Sequence, residues 1–336
     1  MDAPLGGVKR RREEPASSAA VAVAAGTIPT TRLPFVLRAL PGSGPAASDA
    51  RRIVVDLIFP GEPGKADRYL RQGSGRELPG PLAVTVSRRH LALLRRGEYA
   101  ACEKSDGERF MLLLVGAATG SLPRGGYLVS RAFDVFSFDG GAEYAALCCP
   151  KGGVTLLDGE LIQRADDAGS GTRALAVYNV FDAVAVDGDP VGGGVLQGRI
   201  DAMAALVRTP CRAADERRAA AGDPGLPLLV LTKVFDKASH VGAVLSFIGP
   251  GPGACAGPGA VAGPGGAAAA GAALTAPLES EMGAAPPPHR LYRNGARVNG
   301  TDGVVFTPVR APYRALFLSS DPACALPLLK YKFLDE

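Results

Sequence analysis

The chain is poor in the residues that build metal and redox centres. Its 336 residues include only three histidines (His90, His240, His289) and six cysteines (Cys102, Cys148, Cys149, Cys211, Cys255, Cys324). No C-x-x-C pair occurs and the histidines stand apart from the cysteines, which argues against a structural zinc site. There is no dense cysteine framework, and no apolar stretch follows the N-terminal charges as a secretory leader would, so the thiols are expected to be reduced and intracellular. No run of about 20 apolar residues is present, which excludes a membrane-spanning helix. Neither a G-x-x-x-x-G-K-S/T loop nor a G-x-G-x-x-G turn introduces a helix, which removes the common mononucleotide and dinucleotide folds.

What is present is apolar and turn-rich. Hydrophobic residues make up 47% of the chain and charged ones 21%, enough for a sizeable core. The 44 glycines and 28 prolines must sit largely in loops and linkers. The length suits two ordinary domains or one large one. The net charge of +4 is uneven: residues 1–100 hold 16 Lys/Arg against 9 Asp/Glu, a basic front half that permits an anionic partner. Residues 1–31 read as a disordered basic tail. Its Lys9-Arg10-Arg11-Arg12 tetrad suits either a nuclear import signal or a solvated charge run. Residues 32–336 form the folded unit, interrupted at 249–288 by a Gly/Ala/Pro insertion too poor in large apolar residues to order itself.

Strand signals dominate the folded unit. Ile53–Phe59 reads as a strand followed by a Gly/Pro-rich loop, and Ser87 as the cap of a helix over Arg88–Arg96, with Leu91 and Leu94 on one face. Tyr99–Glu103 and Arg109–Val115 read as a hairpin across an Asp-Gly turn, and Tyr127–Arg131 with Phe133–Phe138 as a second. Val154–Leu157 and Glu160–Ile162 form a third about Asp158-Gly159, with Arg173–Val180 and Ala183–Val186 continuing the series. Val195–Arg208 has helical spacing at Leu196, Ile200, Met203 and Val207. Leu228–Phe235, Gly303–Pro308 and Pro327–Phe333 read as further strands. Short antiparallel strands with a few helices predict an α+β fold.

The sharpest chemical feature is Glu103-Lys104-Ser105-Asp106-Gly107-Glu108-Arg109, which sets one lysine at a strand end before a tight turn. A lysine amine is protonated at neutral pH until burial or neighbouring cations release its lone pair. Downstream, in order, come Leu157-Asp158-Gly159-Glu160, Tyr178-Asn179-Val180-Phe181-Asp182, Thr301-Asp302-Gly303-Val304-Val305-Phe306 and Leu328-Leu329-Lys330-Tyr331-Lys332. Lys330 and Lys332, two apart on a strand, share a face and can reach one phosphate. This ordered set resembles the covalent nucleotidyltransferases: mRNA capping guanylyltransferases and ATP-dependent DNA and RNA ligases. Asp302-Gly303-Val304-Val305-Phe306-Thr307-Pro308 with Pro312-Tyr313 close behind, and the lead-in of Leu78-Pro79-Gly80 and Val86-Ser87-Arg88, are similar to the capping branch.

The resemblance implies a ligase-like nucleotidyltransferase domain of antiparallel sheets with flanking helices. It further implies transfer of GMP from GTP, through a lysyl–GMP on Lys104, to the 5′-diphosphate end of RNA. Arg109, Arg131, Glu160, Phe181, Lys233, Asp302, Lys330 and Lys332 would bind the nucleotide, Phe181 stacking on guanine. Glu160 and Asp302 would hold Mg²⁺ or Mn²⁺. Position 130 is Ser where the family often has Asp. The chain ends at Glu336, four residues past Lys332, so the family's OB-fold domain is expected to be absent. The chain also lacks a phosphatase loop of the His-Cys-x5-Arg type. The implied partners are therefore RNA 5′ ends, an RNA triphosphatase and a cap methyltransferase on other chains, with RNA polymerase II a further candidate, in the nucleus and with no membrane. The competing readings are an ATP-dependent polynucleotide ligase and a non-catalytic GTP- or RNA-binding subunit.

Overall fold

In chain order, β1 (Leu37–Ala39) is followed by α1 (Pro45–Ile58), α2 (Pro63–Arg71) and β2 (Val84–Thr85). A 3-10 turn at Arg88–His90 runs into α3 (Leu91–Arg95), then β3 (Tyr99–Ser105), β4 (Glu108–Val115), β5 (Gly125–Ser130) and β6 (Val135–Phe138). Next come α4 (Gly141–Cys148), β7 (Val154–Gln163), β8 (Ala176–Val186), β9 (Asp189–Pro190), α5 (Leu196–Leu206) and β10 (Leu228–Thr232). β11 (Asp236–Lys237), α6 (Val241–Ile248), β12 (Thr301–Pro308) and β13 (Leu329–Lys332) complete the set. This computed structural model describes residues 37–71, 79–105, 107–163, 176–207, 228–248, 301–320 and 325–332. The basic tail at 1–31 and the insertion at 249–288 lie outside them.

The strands make two sheets. The larger runs β1-β6-β5-β4-β7-β8-β10, with β9 paired to β8; the smaller runs β11-β3-β12-β13-β2. Pairing is antiparallel except for β10 on β8 and β13 on β2, which bears out the α+β expectation. Alternation along β3 decides how the sheets meet. Tyr99 and Ala101 join Val304, Phe306 and Leu329 under α6 and the inner side of α3, where Leu93 and Leu94 pack. Ala100 and Cys102 point the other way, into the main core with Phe110, Leu112, Leu157, Tyr178 and Val180 of the larger sheet. The opposite face of the larger sheet is covered by α1, whose Val54, Val55 and Ile58 meet Met111, Leu113 and Val129.

Several elements differ from expectation. Ile53–Phe59 is not a strand; Ile53–Ile58 is the second half of α1 and Phe59 its C-cap. Pro45 opens that helix, and Ala47, Ala50, Val54 and Ile58 are buried at helical spacing. The β-branched run carries strand preference, but burial of this stripe against the sheet outweighs it. The expected loop after it contains α2, whose Tyr69 ring lies 6.1 Å from those of both Phe59 and Phe133. The Ser87 start is correct: Ser87 N donates to His90 Nδ1 at 3.0 Å. The helix faces Leu93 and Leu94 inward, however, and leaves Leu91 44% exposed.

The hairpins are half right. β5 pairs with β6 as expected, with Leu128 opposite Phe136. β3 and β4 do not pair; each enters a different sheet, so the expected hairpin is instead a passage from one sheet to the other. Asp158-Gly159 is no turn either, since β7 runs through it unbroken, with a register shift there against β8. Gly159 is needed because a Cβ would stand 2.6 Å from the Tyr178 ring. That ring's hydroxyl is buried between Leu112 N, Phe110 O and Leu157 O at 3.0, 2.9 and 3.1 Å. β8 likewise spans both strands expected there, with 173–175 outside the described residues. α5 holds as expected, and its Arg199 is fully buried on Asp182, at 2.6 Å from Nε to Oδ1.

Candidate active site

The crossing from β3 to β4 brings the ends of the two sheets together, and the chemistry-bearing residues collect there. On the smaller sheet Lys104 is opposite Gly303, and Gly303 is opposite Lys332. Residues in one cross-strand row project to one side of the sheet, so Lys104 and Lys332 stand on the same side, about 10 Å apart across two strand spacings. Lys330 lies one row inward, opposite Val305, which is itself opposite Cys102. Lys104 and Lys330 are half-buried and Lys332 is exposed. Gly303 keeps the row open: a Cβ there would collide with the Tyr331 carbonyl oxygen. Gly303→Ala is therefore expected to separate β12 from β13. It should lower the thermal midpoint and misplace Lys332, and an unchanged melting curve would refute this.

The larger sheet meets the smaller one at Glu103, through Asn179 and Lys233. Arg109, Glu160 and Asn179 form one row across β4, β7 and β8. Arg109 is clamped by Asp158, with Nε to Oδ1 at 2.9 Å and Nη2 to Oδ2 at 2.6 Å, and donates from Nη1 to Pro81 O at 2.6 Å. Asp158 is fully buried and also accepts from the Tyr313 hydroxyl at 2.7 Å. Burial opposes the charge on Arg109, but Asp158 outweighs it, so the guanidinium is held above its ordinary range. Burial and the Asp158 charge push the Tyr313 hydroxyl well up, leaving it a neutral donor.

Beside this clamp, Lys233 Nζ donates to Glu160 Oε2 at 3.1 Å and to Glu103 O at 3.2 Å. Burial works against its charge, yet Glu160 and its neighbours raise it above the usual lysine value, so Lys233 stays an ammonium. Phe181, half-buried, has Arg109 Cζ 5.9 Å and Lys233 Nζ 5.6 Å from its ring centroid, both within cation–π range. The buried Glu103 carboxylate accepts from Ser105 Oγ at 3.3 Å and Asn179 Nδ2 at 3.2 Å, tying the two sheets together at this point.

Cys102 lies behind Lys104 among these charges. Burial, with Glu103 and Glu160, pushes its thiol up to about 12 against the opposing pull of Lys233. Below the ordinary value of 9.0 both folded and unfolded chains keep the proton; between there and about 12 only the unfolded chain releases it, so stability falls as pH rises. Urea unfolding at pH 8 and pH 10.5 is expected to show a smaller alkaline loss in Cys102→Ala than in the parent. Equal losses would contradict this.

Of the residues expected from sequence, Arg109, Glu160, Phe181 and Lys233 form one contact group, and Lys104, Lys330 and Lys332 lie on one side of the smaller sheet. Asp302 falls at the register shift between Thr301 and Gly303 on β12. Arg131, exposed, follows Ser130, whose partner Phe110 adjoins Arg109; it stands at the same end of the sheet without joining the contact group. Among the described residues no group of three or more His, Cys, Asp or Glu could hold a metal by itself. Glu160, with Oε2 on Lys233 and no described partner on Oε1, suits a cation shared with a substrate phosphate. Sequence reasoning missed Asp158, Tyr313, Glu103 and Asn179. Asp158, two residues before Glu160, carried a signal, since Arg109 on the neighbouring strand needed a carboxylate if buried.

The profile of the family described as mRNA capping enzyme, catalytic domain, matches residues 65–247, more than half of the chain. An mRNA-capping enzyme subunit alpha from Neurospora crassa is 32% identical over 114 residues, 32% of this chain and 27% of that protein. One from Schizosaccharomyces pombe is 30% identical over 137 residues, 39% of this chain and 33% of that protein. The chain thus covers a third or less of the length of these relatives. The ligase domain of M. tuberculosis LigD superposes with a TM-score of 0.33 at 16% identity, over 75% of this chain and 59% of that one. The matched span runs from α2 through α6, taking in Lys104, the Arg109–Asp158 clamp and Lys233, and with it the chain belongs to the mRNA capping enzyme catalytic-domain family.

Proposed function

We propose that the chain is the nucleotidyltransferase part of a GTP:RNA guanylyltransferase, with Lys104 as nucleophile. The observation that carries this is the Lys233 ammonium, which joins Glu103, the residue before Lys104 on the smaller sheet, to Glu160 in the Arg109–Glu160–Asn179 row of the larger one. Phosphoryl transfer is catalysed mainly by positioning and charge neutralisation, and Lys233, Arg109, Lys330 and Lys332 would supply cations for it. Lys104 Nζ attacks the α-phosphorus of GTP; an N–P bond forms, the bond to pyrophosphate breaks, and the amine proton leaves to solvent. A terminal phosphate oxygen of diphosphate-ended RNA then attacks the same phosphorus, and Lys104 departs as the amine. Lys330, Lys332 and Arg131 would neutralise the phosphates. Arg109, rigid in its clamp, and Glu160 would meet the ribose. Phe181 would stack on guanine, with Lys233 at its edge.

Glu160 would hold Mg²⁺ or Mn²⁺, with Asp302 the second ligand expected from the sequence. When bound, that cation would offset the charge of the substrate phosphates. On this reading its partners would be RNA 5′ ends, with an RNA triphosphatase and a cap methyltransferase on other chains and RNA polymerase II a further candidate, in the nucleus. Incubating the chain with α-labelled GTP or ATP and Mg²⁺, followed by a denaturing gel, tests the reading. Label retained from GTP supports it, label from ATP instead supports a polynucleotide ligase, and no label from either overturns catalysis by this chain alone.

A further inference from the structure

The helical segment that leads into the nucleophile strand carries a feature the chemistry above does not use. Across the 3-10 turn and α3, Arg88, Arg89, Arg95 and Arg96 are all exposed. With Ala92 they fall at i, i+1, i+4, i+7 and i+8, a single helical face, while Leu93 and Leu94 on the other side pack beneath it. Arg89 touches only the His90 ring, at 3.1 Å, and Arg88, Arg95 and Arg96 pair with no carboxylate among the described residues. Four like charges on so short a face repel one another and remain favourable only if an anion or solvent screens them.

The topology places this stripe against the site. β3 and β13 are both antiparallel to β12, and β2 is parallel to β13, so β2, β13 and β3 run in one direction and end at one rim. Lys104 and Lys332 occupy that rim. β2 reaches it at Thr85, opposite Lys330, and Val86 N donates to Lys330 O at 2.8 Å. Arg88 and Arg89 follow within three and four residues, so the stripe begins at the rim. It then runs back over the face of the smaller sheet that lies away from the larger sheet, for about 12 Å to Arg96. A polyanion whose reactive end lay at Lys104 would meet Lys332, round the β2 edge, and continue down these arginines.

We infer that this arginine stripe grips the 5′-proximal phosphodiesters of the acceptor RNA, holding its diphosphate end at the lysyl–nucleotide; the inference rests on the guanylyltransferase reading for the identity of the acceptor. The stripe meets backbone phosphates and is indifferent to base sequence. The test uses the full chain, a 20-nucleotide RNA with a 5′-diphosphate, and the variant R88A/R89A/R95A/R96A, with thermal melting to confirm folding. Binding is read by fluorescence anisotropy across a salt series, and lysyl–GMP formation separately by labelling with GTP. The parent's log affinity should fall with log salt, and the variant's slope should be shallower by about 0.7 for each phosphate that an arginine no longer neutralises. At 0.1 M salt the variant should bind about tenfold or more weakly, with lysyl–GMP labelling unchanged. Equal affinity and slope in parent and variant would overturn the inference. So would loss of labelling in step with binding, which would put the arginines on the nucleotide. A parent that binds RNA through the stripe yet takes no label from GTP would leave the stripe standing and remove the guanylyltransferase reading.

Discussion

Lys104→Ala is expected to take no label from GTP at all, while melting within a few degrees of the parent. Lys104 is half-buried at a strand end, so truncation removes little packing, and substitutions of this kind cost roughly 1 kcal/mol. The effect on chemistry is total if Lys104 alone carries the nucleotide. Lys233, which meets the backbone of Glu103 next to Lys104, is fixed as an ammonium by Glu160 at 3.1 Å and by the Glu103 carbonyl, and an ammonium has no lone pair to attack with. Lys104→Arg separates charge from nucleophilicity: it keeps the cation, never deprotonates, and should be equally blank. Label at the parent's level in either variant would move the nucleophile elsewhere.

The second large effect is at Asp158. Asp158→Asn keeps the shape but removes the charge from a fully buried carboxylate that answers a clamped guanidinium and a buried tyrosine hydroxyl. Breaking a buried ion pair from one side costs about 3–5 kcal/mol, because the remaining charge stays desolvated. For a domain of this size the thermal midpoint should drop by roughly 10 °C. Arg109 would also lose the geometry that holds it beside Phe181. A misplacement of about 1 Å can cost two orders of magnitude, so lysyl–nucleotide formation should fall about a hundredfold in protein assayed well below its melting point. Tyr313→Phe removes one hydrogen bond from the same carboxylate and should show a smaller loss, about 1–3 kcal/mol. A variant Asp158→Asn as stable and as active as the parent would show that the clamp positions nothing.

The clamp also marks the limit of what the sequence discloses. Lys104, Arg109, Glu160 and Lys332 were named from the sequence because the order of their motifs resembles that of a known family. Asp158 stood in the same string of residues as Glu160, but its partner is 49 positions away and appears only when β4 and β7 pair. Turn residues were read correctly as local signals and wrongly as topology. The strands on either side of Asp106-Gly107 enter different sheets. Gly159 is present for the Tyr178 ring, not for a bend. Ile53, Val54 and Val55 carry the side chains of a strand and sit in a helix, because the buried stripe that includes Ala47 and Ala50 has a period of 3.6. In each case a long-range contact outweighed a local preference, and no window of the sequence contains such a contact.

The composition of the smaller sheet has a consequence for the order of synthesis. The larger sheet is rich in pairings between consecutive strands, β4 with β5, β5 with β6 and β7 with β8, which close short loops and can form as the chain emerges. The smaller sheet has few such local pairings: β3 waits for β11 and β12, and β2 for β13, so Lys104 gains its neighbours only when residues 301–332 have been made. A ribosome-bound chain stalled before residue 301 would hold Lys104 on a strand without β12, and the Arg109–Asp158 clamp without Tyr313. The Lys104 end of β3 therefore takes its place late, once β12 and β13 have been made.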